Sequence, residues 1–84
     1  MMLEKIHGSE NKVVGIKQTR KAIRENKAEL VYLAEDVDGH LFDEIKKACK
    51  ENNVEICYVK TMKELGKACA IDIKAASAAL ISEG

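Results

Sequence analysis

Four basic side chains near the start of the chain are spaced so that a helix would place them on one face. They are Lys17, Arg20, Lys21 and Arg24, at positions i, i+3, i+4 and i+7. Residues three or four apart are neighbours on a helix surface, and like charges there repel by roughly 0.2–0.5 kcal/mol per pair. The arrangement lowers the stability of the helix, and a bound polyanion would remove the repulsion. The alternative is a solvated face without a ligand.

The start of the same helix carries two further candidate binding residues. Gly15 stands directly before it, and Gln18 lies in its first turn. Glycine leaves room for another backbone, and the first turn of a helix has N–H groups free to bind a phosphate or a base-edge acceptor. The amide of Gln18 can both donate and accept at a base edge. The alternative is a glycine needed only for a tight turn.

A second candidate segment is an apolar loop. Ile71 and Ile73 flank Asp72, and the small residues 75–77 follow. Aliphatic side chains in loops often fold back into the core, which is one interpretation of this segment. The functional interpretation is that Ile71 or Ile73 forms an apolar floor for an unstacked base.

Basic and acidic residues are equal in number, 14 each, but they are separated along the chain. Residues 12–27 carry six basic side chains and one acidic one, whereas residues 28–45 carry six acidic side chains and no Lys or Arg. Residues 60–74 are basic again, with a net charge of +2. Charges are screened over about 8–10 Å in physiological salt, so a local basic surface can bind a polyanion on a neutral protein.

Hydrophobic periodicity places these candidates on an alternating series of strands and helices. Asp38 and Thr61 are predicted to cap the helices that they precede. The pattern predicts an α/β sandwich in which helices cover both faces of a four-stranded parallel or mixed sheet. Strands are predicted at residues 13–14, 30–34, 54–59 and 78–82, and helices at 17–26, at 38–52 and from 61 onward, while residues 1–10 could add a short helix.

The composition is that of one compact domain, which we expect to span residues 1–84. Hydrophobic residues make up 46% of the sequence and charged residues 33%, which is too apolar for a disordered chain. No apolar run approaches the roughly 18–20 residues that cross a membrane. The three cysteines are an odd number, which argues against a secreted disulfide scaffold and for the cytoplasm.

No arrangement of residues in the sequence supports an enzyme or a metal site. There is no Ser/His/Asp constellation and no glycine-rich phosphate loop. Cys49, Cys57 and Cys69 form no CxxC pair and are interpreted as buried apolar residues. A calcium loop fails because Ala34 and Ile45 would occupy its first and twelfth positions. We therefore expect no catalytic residue, no metal and no cofactor.

Four sequence blocks together resemble a known family. They are GIKQTRKAI at residues 15–23, AEDVD at 34–38, KELGKACAIDI at 63–73 and AAS at 75–77. Their order and spacing are similar to those of the kink-turn-binding ribosomal protein family, often called L-seven-Ae, and especially of its short bacterial members. The resemblance covers about residues 12–82.

The resemblance implies a three-layer α-β-α sandwich with a four-stranded mixed sheet. Family members bind kink-turns, in which a three-nucleotide bulge bends two RNA helices beside tandem sheared G·A pairs. By this resemblance Gly15, Lys17, Gln18 and Lys21 contact the guanine edges of those pairs. Lys17 and Gln18 stand where archaeal members carry Asn and Glu.

The resemblance also assigns the remaining candidate contacts. The loop that lies beside the bulged nucleotides in the family is matched by Ile71, Asp72 and Ile73, preceded here by Ala70 in place of a usual glycine. We expect the basic stripe to bind phosphates through Arg20 and Arg24. Lys63 and Lys67, on the helix predicted from residue 61 onward, could extend this basic surface.

We therefore expect a non-enzymatic, cytoplasmic, monomeric RNA-binding protein that recognises and stabilises kink-turn RNA, as a ribosomal or ribosome-associated protein. Its expected partner is structured RNA, in ribosomal RNA or a riboswitch, and not DNA or a membrane. The alternative is a protein–protein adaptor or a dimerising module that uses the acidic face of residues 35–44 or an edge strand. Salt separates the two, because RNA affinity falls steeply as salt rises.

Overall fold

The computed structural model describes residues 11–69, 71 and 73–81, and within them strands and helices alternate as predicted. Every predicted boundary within these residues lies within two residues of the observed one. The short helix considered for residues 1–10 and the predicted strand position Ser82 lie outside the described residues. In chain order the elements are β1 (Lys12–Val14), α1 (Ile16–Arg24), β2 (Ala28–Ala34), α2 (Gly39–Glu51), β3 (Glu55–Val59), α3 (Met62–Ala68) and β4 (Ser77–Ile81).

The four strands form one mixed sheet in the order β1-β4-β2-β3. β4 is antiparallel to β1 and to β2, with Ala79 opposite Val13 on one side and Val31 on the other. β2 and β3 are parallel, with Tyr32 opposite Cys57. This sheet confirms the mixed α/β sandwich, because α1 and α2 pack on one of its faces and α3 packs on the other.

The central strand β2 divides the core into two halves. Val31 and Leu33 face α1 and α2, whereas Tyr32 and Ala34 face α3, and all four are fully buried. This explains why the sequence of β2 has no polar alternation: both faces of the strand are covered. The α1–α2 half of the core contains Ile23, Val31, Leu33, Ile45, Cys49 and Ala79. The α3 half contains Leu30, Tyr32, Ala34, Val59, Leu65, Cys69, Ala75 and Ala78.

Asparagine ends both long helices. Asn26 and Asn53 have φ values of 57° and 56°, in the left-handed region that asparagine tolerates at helix ends. After α1, Lys27 N donates to Ala22 O at 2.9 Å, which is the long-range bond of a Schellman motif. The prediction that α1 continues to Asn26 was therefore wrong by two residues, because that residue reverses the chain.

The helices α2 and α3 begin at the predicted caps. Asp38 Oδ1 accepts from His40 N at 2.8 Å, and Thr61 Oγ1 accepts from Glu64 N at 3.0 Å. Asp36 Oδ1 also accepts from Met62 N, at 2.8 Å. That bond joins the loop after β2 to the first turn of α3. None of the three helices in the described part is long and apolar enough to cross a membrane.

Candidate nucleic-acid interface

Three consecutive residues before and at the start of β4 connect the parts of the candidate site. Ala75 N donates to the carbonyl oxygen of Met62 in α3 at 3.0 Å. Ala76 O accepts from Ala34 N at the end of β2, also at 3.0 Å. Ser77 O accepts from Gly15 N, directly before α1, at 2.7 Å. The start of α1 and the α3–β4 loop are therefore held in one backbone hydrogen-bonded frame.

Gly15 is required by its backbone conformation. Its φ is 108° and its ψ is 155°, a combination that residues with a side chain rarely adopt. A Cβ built on Gly15 would have no heavy atom within 4 Å, so crowding is not the reason for the glycine. This conformation lets the chain leave β1, bond to β4 and enter α1 within a few residues.

The first turn of α1 is open to an anionic ligand. No side chain caps it and it contains no acidic residue, in contrast to α2 and α3 with their Asp38 and Thr61 caps. The side chains of Lys17 and Gln18 in this turn are exposed. Uncapped N–H groups and the positive end of the helix dipole favour bound anions or acceptor groups.

The four residues of the basic stripe differ in their surroundings. Lys17, Lys21 and Arg24 are exposed. Arg20 Nη1 instead donates to Glu44 Oε1 of α2 in an ion pair, with 39% and 30% of the two side chains exposed. A phosphate contact by Arg20 stays a prediction, and a phosphate there would compete with Glu44. Sequence spacing gave no signal of this pair, which joins two helices.

The other face of α1 is buried as its periodicity predicted. Thr19, Ala22 and Ile23 lie against the sheet, and Thr19 is 0% exposed. The Thr19 hydroxyl has no hydrogen-bond partner in the part of the chain that the structure describes. A buried hydroxyl without a partner lowers the stability of the fold.

A shallow groove of about 180 Å³ runs along the flank of α1 that faces β1. Two candidate RNA contacts, the exposed residues Gln18 and Lys21, are among the residues that line it. The groove thus leaves both side chains open to a ligand that approaches the helix start from the side. It is lined by Val13, Gln18, Lys21, Ala22, Glu25, Lys27 and Ile81.

The two isoleucines of the α3–β4 loop differ in how deeply they are buried. Ile71 is half-buried and packs against the α3 half of the core, as the core interpretation of loop aliphatics predicted. Ile73 is 73% exposed, and only Ile73 and Tyr58 are exposed large apolar residues among those described. Asp72 and Ala70 lie outside the described residues. Ile73 is therefore the side chain available as an apolar floor, and a contact by Ile71 stays a prediction.

Gly66 is a residue of the site that the sequence reasoning missed. It lies inside α3, and a Cβ at this position would stand 2.2 Å from Ile73 O and 3.1 Å from Lys74 Cα. Its own carbonyl oxygen accepts from Ile71 N at 3.1 Å. The sequence did carry a signal, since a glycine within a helix lowers helix stability by about 1 kcal/mol relative to alanine. A glycine at such a position therefore suggests that close packing requires it. Lys63 and Lys67 on the same helix are exposed.

The cysteines lie within the fold and form no metal cluster. Cys49 and Cys69 are buried and Cys57 is half-buried. Burial raises the pKa of the Cys49 thiol to about 11 and raises the pKa values of Cys57 and Cys69. The thiols therefore stay protonated at neutral pH and are poor nucleophiles. Among the described residues no three His, Cys, Asp or Glu side chains are grouped to hold a metal ion.

Part of the acidic segment serves the fold. Asp36 and Asp38 cap helices, and Glu44 pairs with Arg20. Glu35 remains exposed beside them at the end of β2. The carboxylates of Asp36, Asp38 and Glu44 thus each have a partner within the chain. Helix capping and ion pairing therefore explain part of the acidic face.

Comparison with known proteins gives the same family over nearly the whole chain. The family profile described as "Ribosomal protein L7Ae/L30e/S12e/Gadd45 family" matches residues 2–84. The chain is 50% identical over 68 residues to a protein of Caldanaerobacter subterraneus subsp. tengcongensis named an RNA-binding protein, covering 81% of this chain and 83% of that one. It is 40% identical over 81 residues to the RNA-binding protein YbxF of Geobacillus stearothermophilus, covering 96% of this chain and 99% of YbxF.

Solved structures share the fold. The 15.5kD RNA binding protein of Giardia lamblia superposes with a TM-score of 0.85 at 22% identity, covering 98% of this chain and 69% of that one. A protein of unknown function from Bacillus halodurans gives a TM-score of 0.84 at 19% identity, covering 99% of this chain and 83% of that one. With a family match over residues 2–84 and relatives that are 50% and 40% identical, this chain belongs to the ribosomal protein L7Ae/L30e/S12e/Gadd45 family.

Proposed function

We propose that this chain is a non-enzymatic RNA-binding protein that recognises kink-turn RNA and stabilises its bent form. The observation that carries the proposal is the hydrogen-bonded frame of residues 75–77, which joins the uncapped start of α1 to the loop that carries the exposed Ile73. Two curated relatives with 40% and 50% identity are named RNA-binding proteins, which supports the choice of ligand class.

The start of α1 is the proposed contact for the tandem sheared G·A pairs. Gly15 lets the RNA approach the backbone, while Lys17, Gln18 and Lys21 present exposed donors and one amide acceptor. Regular A-form RNA hides its base edges in a deep and narrow groove, so proteins read distorted places instead. A kinked junction exposes those edges and crowds phosphates, and a positive helix end lowers the electrostatic repulsion of that crowding.

The α3–β4 loop is the proposed contact for the bulged nucleotides. Ile73 offers an exposed apolar surface for an unstacked base, while Ile71 and Asp72 complete the segment. Phosphates flanking the bend are bound by Arg24, which is exposed, and by Arg20 when it leaves Glu44. Since both halves of the site fit only the bent RNA, binding shifts the RNA population toward that form.

We propose a monomer in the cytoplasm whose target is a kink-turn in ribosomal RNA or in a riboswitch. A ribosomal or ribosome-associated role is part of the proposal. DNA is not a target, because sheared G·A pairs beside a three-nucleotide bulge are a feature of folded RNA strands.

A doubly labelled kink-turn RNA tests the proposal. Fluorescence energy transfer between the two arms in magnesium-free buffer should rise as the protein is added, and it should stay flat for an RNA whose G·A pairs are replaced by Watson–Crick pairs. No rise with the intact kink-turn would refute the proposal. A partner-binding adaptor, in contrast, would keep its partner at salt concentrations that release RNA.

A pair of lysine variants then locates the site. Lys21→Ala should weaken kink-turn binding by about 1–3 kcal/mol and plain duplex binding by less. Lys46→Ala is the matched control, because Lys46 is an exposed lysine of α2 and its removal changes the net charge equally. Equal losses for Lys21→Ala on both RNAs would leave only nonspecific attraction between protein and RNA.

A further inference from the structure

The backbone of the α3–β4 loop rests directly on the backbone of α3. Gly66 is buried, and any Cβ at that position would stand 2.2 Å from Ile73 O and 3.2 Å from Ile73 C. Cβ atoms in proteins essentially never come within 3.0 Å of another heavy atom of this kind. The obstructing atoms here belong to the main chain, so a change of side-chain rotamer cannot relieve the contact. A side chain at position 66 therefore requires the backbone at Ile73 to move by about 1 Å.

The helix beneath the loop is held at its N-terminus and along its buried face. Its N-terminus is held by Thr61, and Asp36 Oδ1 accepts from Met62 N at 2.8 Å. Its apolar face is fixed as well, since Leu65 and Cys69 are 0% and 1% exposed. Any displacement caused at position 66 is thus taken up by the loop that carries Ile73.

The loop is also fastened on both sides of Ile73. Ile71 N donates to Gly66 O at 3.1 Å, and Ala75 N donates to Met62 O at 3.0 Å. A displacement of Ile73 between these two bonds shifts its side chain relative to the start of α1, whose place is set separately by the bond from Gly15 N to Ser77 O. The distance between the two halves of the site thus depends on how closely the loop approaches Gly66.

We propose that Gly66 is a positioning residue that makes the protein prefer bent RNA over plain duplex RNA. Gly66 does not touch the RNA; it sets the distance of Ile73 above α3. That distance determines how well the two halves of the site fit a bent RNA. The inference rests on the proposed function and deepens it. A gap of 0.5–1 Å removes a quarter to a half of a van der Waals contact, and an equal shift inward produces a clash. The charge-driven attraction of α1 for any RNA does not depend on this distance.

The test measures a ratio of affinities. The dissociation constants of the full chain are measured for a kink-turn RNA and for a bulge-free duplex of the same length and composition. For Gly66→Ala the preference for the kink-turn should fall by about tenfold or more, while duplex affinity stays within about twofold. Gly39→Ala is the matched control, because a Cβ at Gly39 in α2 has no heavy atom within 4 Å, and its ratio should equal that of the wild type.

A double-mutant cycle shows whether Gly66 acts through Ile73. Ile73→Ala alone should lower the ratio, and Gly66→Ala added to it should lower the ratio little further. A Gly66→Ala protein with a lower melting temperature but an unchanged affinity ratio would mean that Gly66 serves stability only, and this would overturn the inference. Additive losses in the cycle would overturn it as well, since Gly66 would then act by another route.

A second variant decides the matter if Gly66→Ala does not fold. Asp36→Ala removes the exposed bond to Met62 N that holds the start of α3. The loop that rests on Gly66 should then shift with α3 relative to α1, and the ratio should fall by about threefold. An unchanged ratio would show that the fit to bent RNA does not depend on the position of this loop, which overturns the inference. A wild-type protein with no preference for the kink-turn refutes the proposed function, and the inference with it. A wild-type protein that prefers the kink-turn, with a Gly66→Ala variant that prefers it equally, refutes the inference alone.

Discussion

Two buried hydroxyl groups should respond in opposite directions when they are removed. Thr19 and Ser77 are both 0% exposed. Ser77 Oγ donates to Tyr32 O at 2.8 Å, whereas Thr19 Oγ1 has no hydrogen-bond partner within residues 11–69, 71 and 73–81. Thr19→Val should therefore stabilise the protein, and Ser77→Ala should destabilise it.

The magnitude follows from what each substitution removes. A buried hydroxyl without a hydrogen bond costs about 1–3 kcal/mol, and Thr19→Val replaces it with a methyl group of similar shape in the same β-branched frame. We expect the free energy of unfolding to rise by about 1–2 kcal/mol. Because 1 kcal/mol shifts the melting temperature of a domain of this size by roughly 4–8 °C, the change is readily measured. Ser77→Ala loses a made hydrogen bond, and stability should fall by about 1 kcal/mol.

Urea unfolding followed by circular dichroism measures both effects. The slope of the free energy against urea should not change, since neither substitution alters the surface exposed on unfolding. RNA affinity of Thr19→Val should also stay unchanged, because Thr19 faces the core beneath α1. A Thr19→Val protein that is less stable than the wild type would refute the reasoning and show that the hydroxyl is bonded, for example to a buried water.

Three further predictions concern charge, the apolar floor and pH. Glu44→Gln removes the charged partner of Arg20. RNA affinity should therefore rise by about two- to fivefold, and the slope of log affinity against log salt should steepen by about 1 in filter-binding titrations. An unchanged slope would mean that Arg20 does not reach a phosphate. Ile73→Asp should weaken kink-turn binding by about tenfold or more with little effect on thermal stability, since the residue is 73% exposed; equal binding in the same titration would remove Ile73 from the site. Burial raises the pKa of the Cys49 thiol from 9.0 to about 11. Above about pH 9 the unfolded chain therefore binds fewer protons than the folded chain, so the free energy of unfolding should fall as the pH rises to 11. In urea titrations across this range, Cys49→Ala should show a shallower fall, and a fall as steep as that of the wild type would contradict the role of this thiol.

The sequence alone predicted the elements because their signals are local. Helical spacing identified the buried face of α1, and the apolar run of β2 indicated a strand covered on both sides. The caps at Asp38 and Thr61 were readable because each bonds a backbone N–H two or three residues away. Gly15 and the lysines of α1 were proposed as contacts from signals of the same local kind. Two boundaries were wrong by two residues. The start of β2 was placed at Leu30 instead of Ala28, and α1 was extended to Asn26 because a left-handed asparagine looks like one more polar helix position.

The tertiary structure decided which candidates are free to act. Spacing treated Arg20 as equal to its neighbours, but its partner Glu44 lies 24 residues away in sequence. Spacing also could not separate Ile71 from Ile73, because their fates depend on which one packs against the core. The strand order β1-β4-β2-β3 was likewise undetermined by the order of elements.

The same limit applies to Gly66 and to the frame that joins the site. The bond of Asp36 with Met62 joins residues 26 apart in sequence, and that of Ser77 with Tyr32 joins residues 45 apart. The contact of Gly66 with Ile73 forms only when the loop after α3 folds back on the helix. Local sequence fixes which residues are helical, extended or capped, since those preferences act over three or four positions. The relative placement of the two segments that we propose to contact RNA is set by packing between distant parts of the chain, which a single sequence does not display.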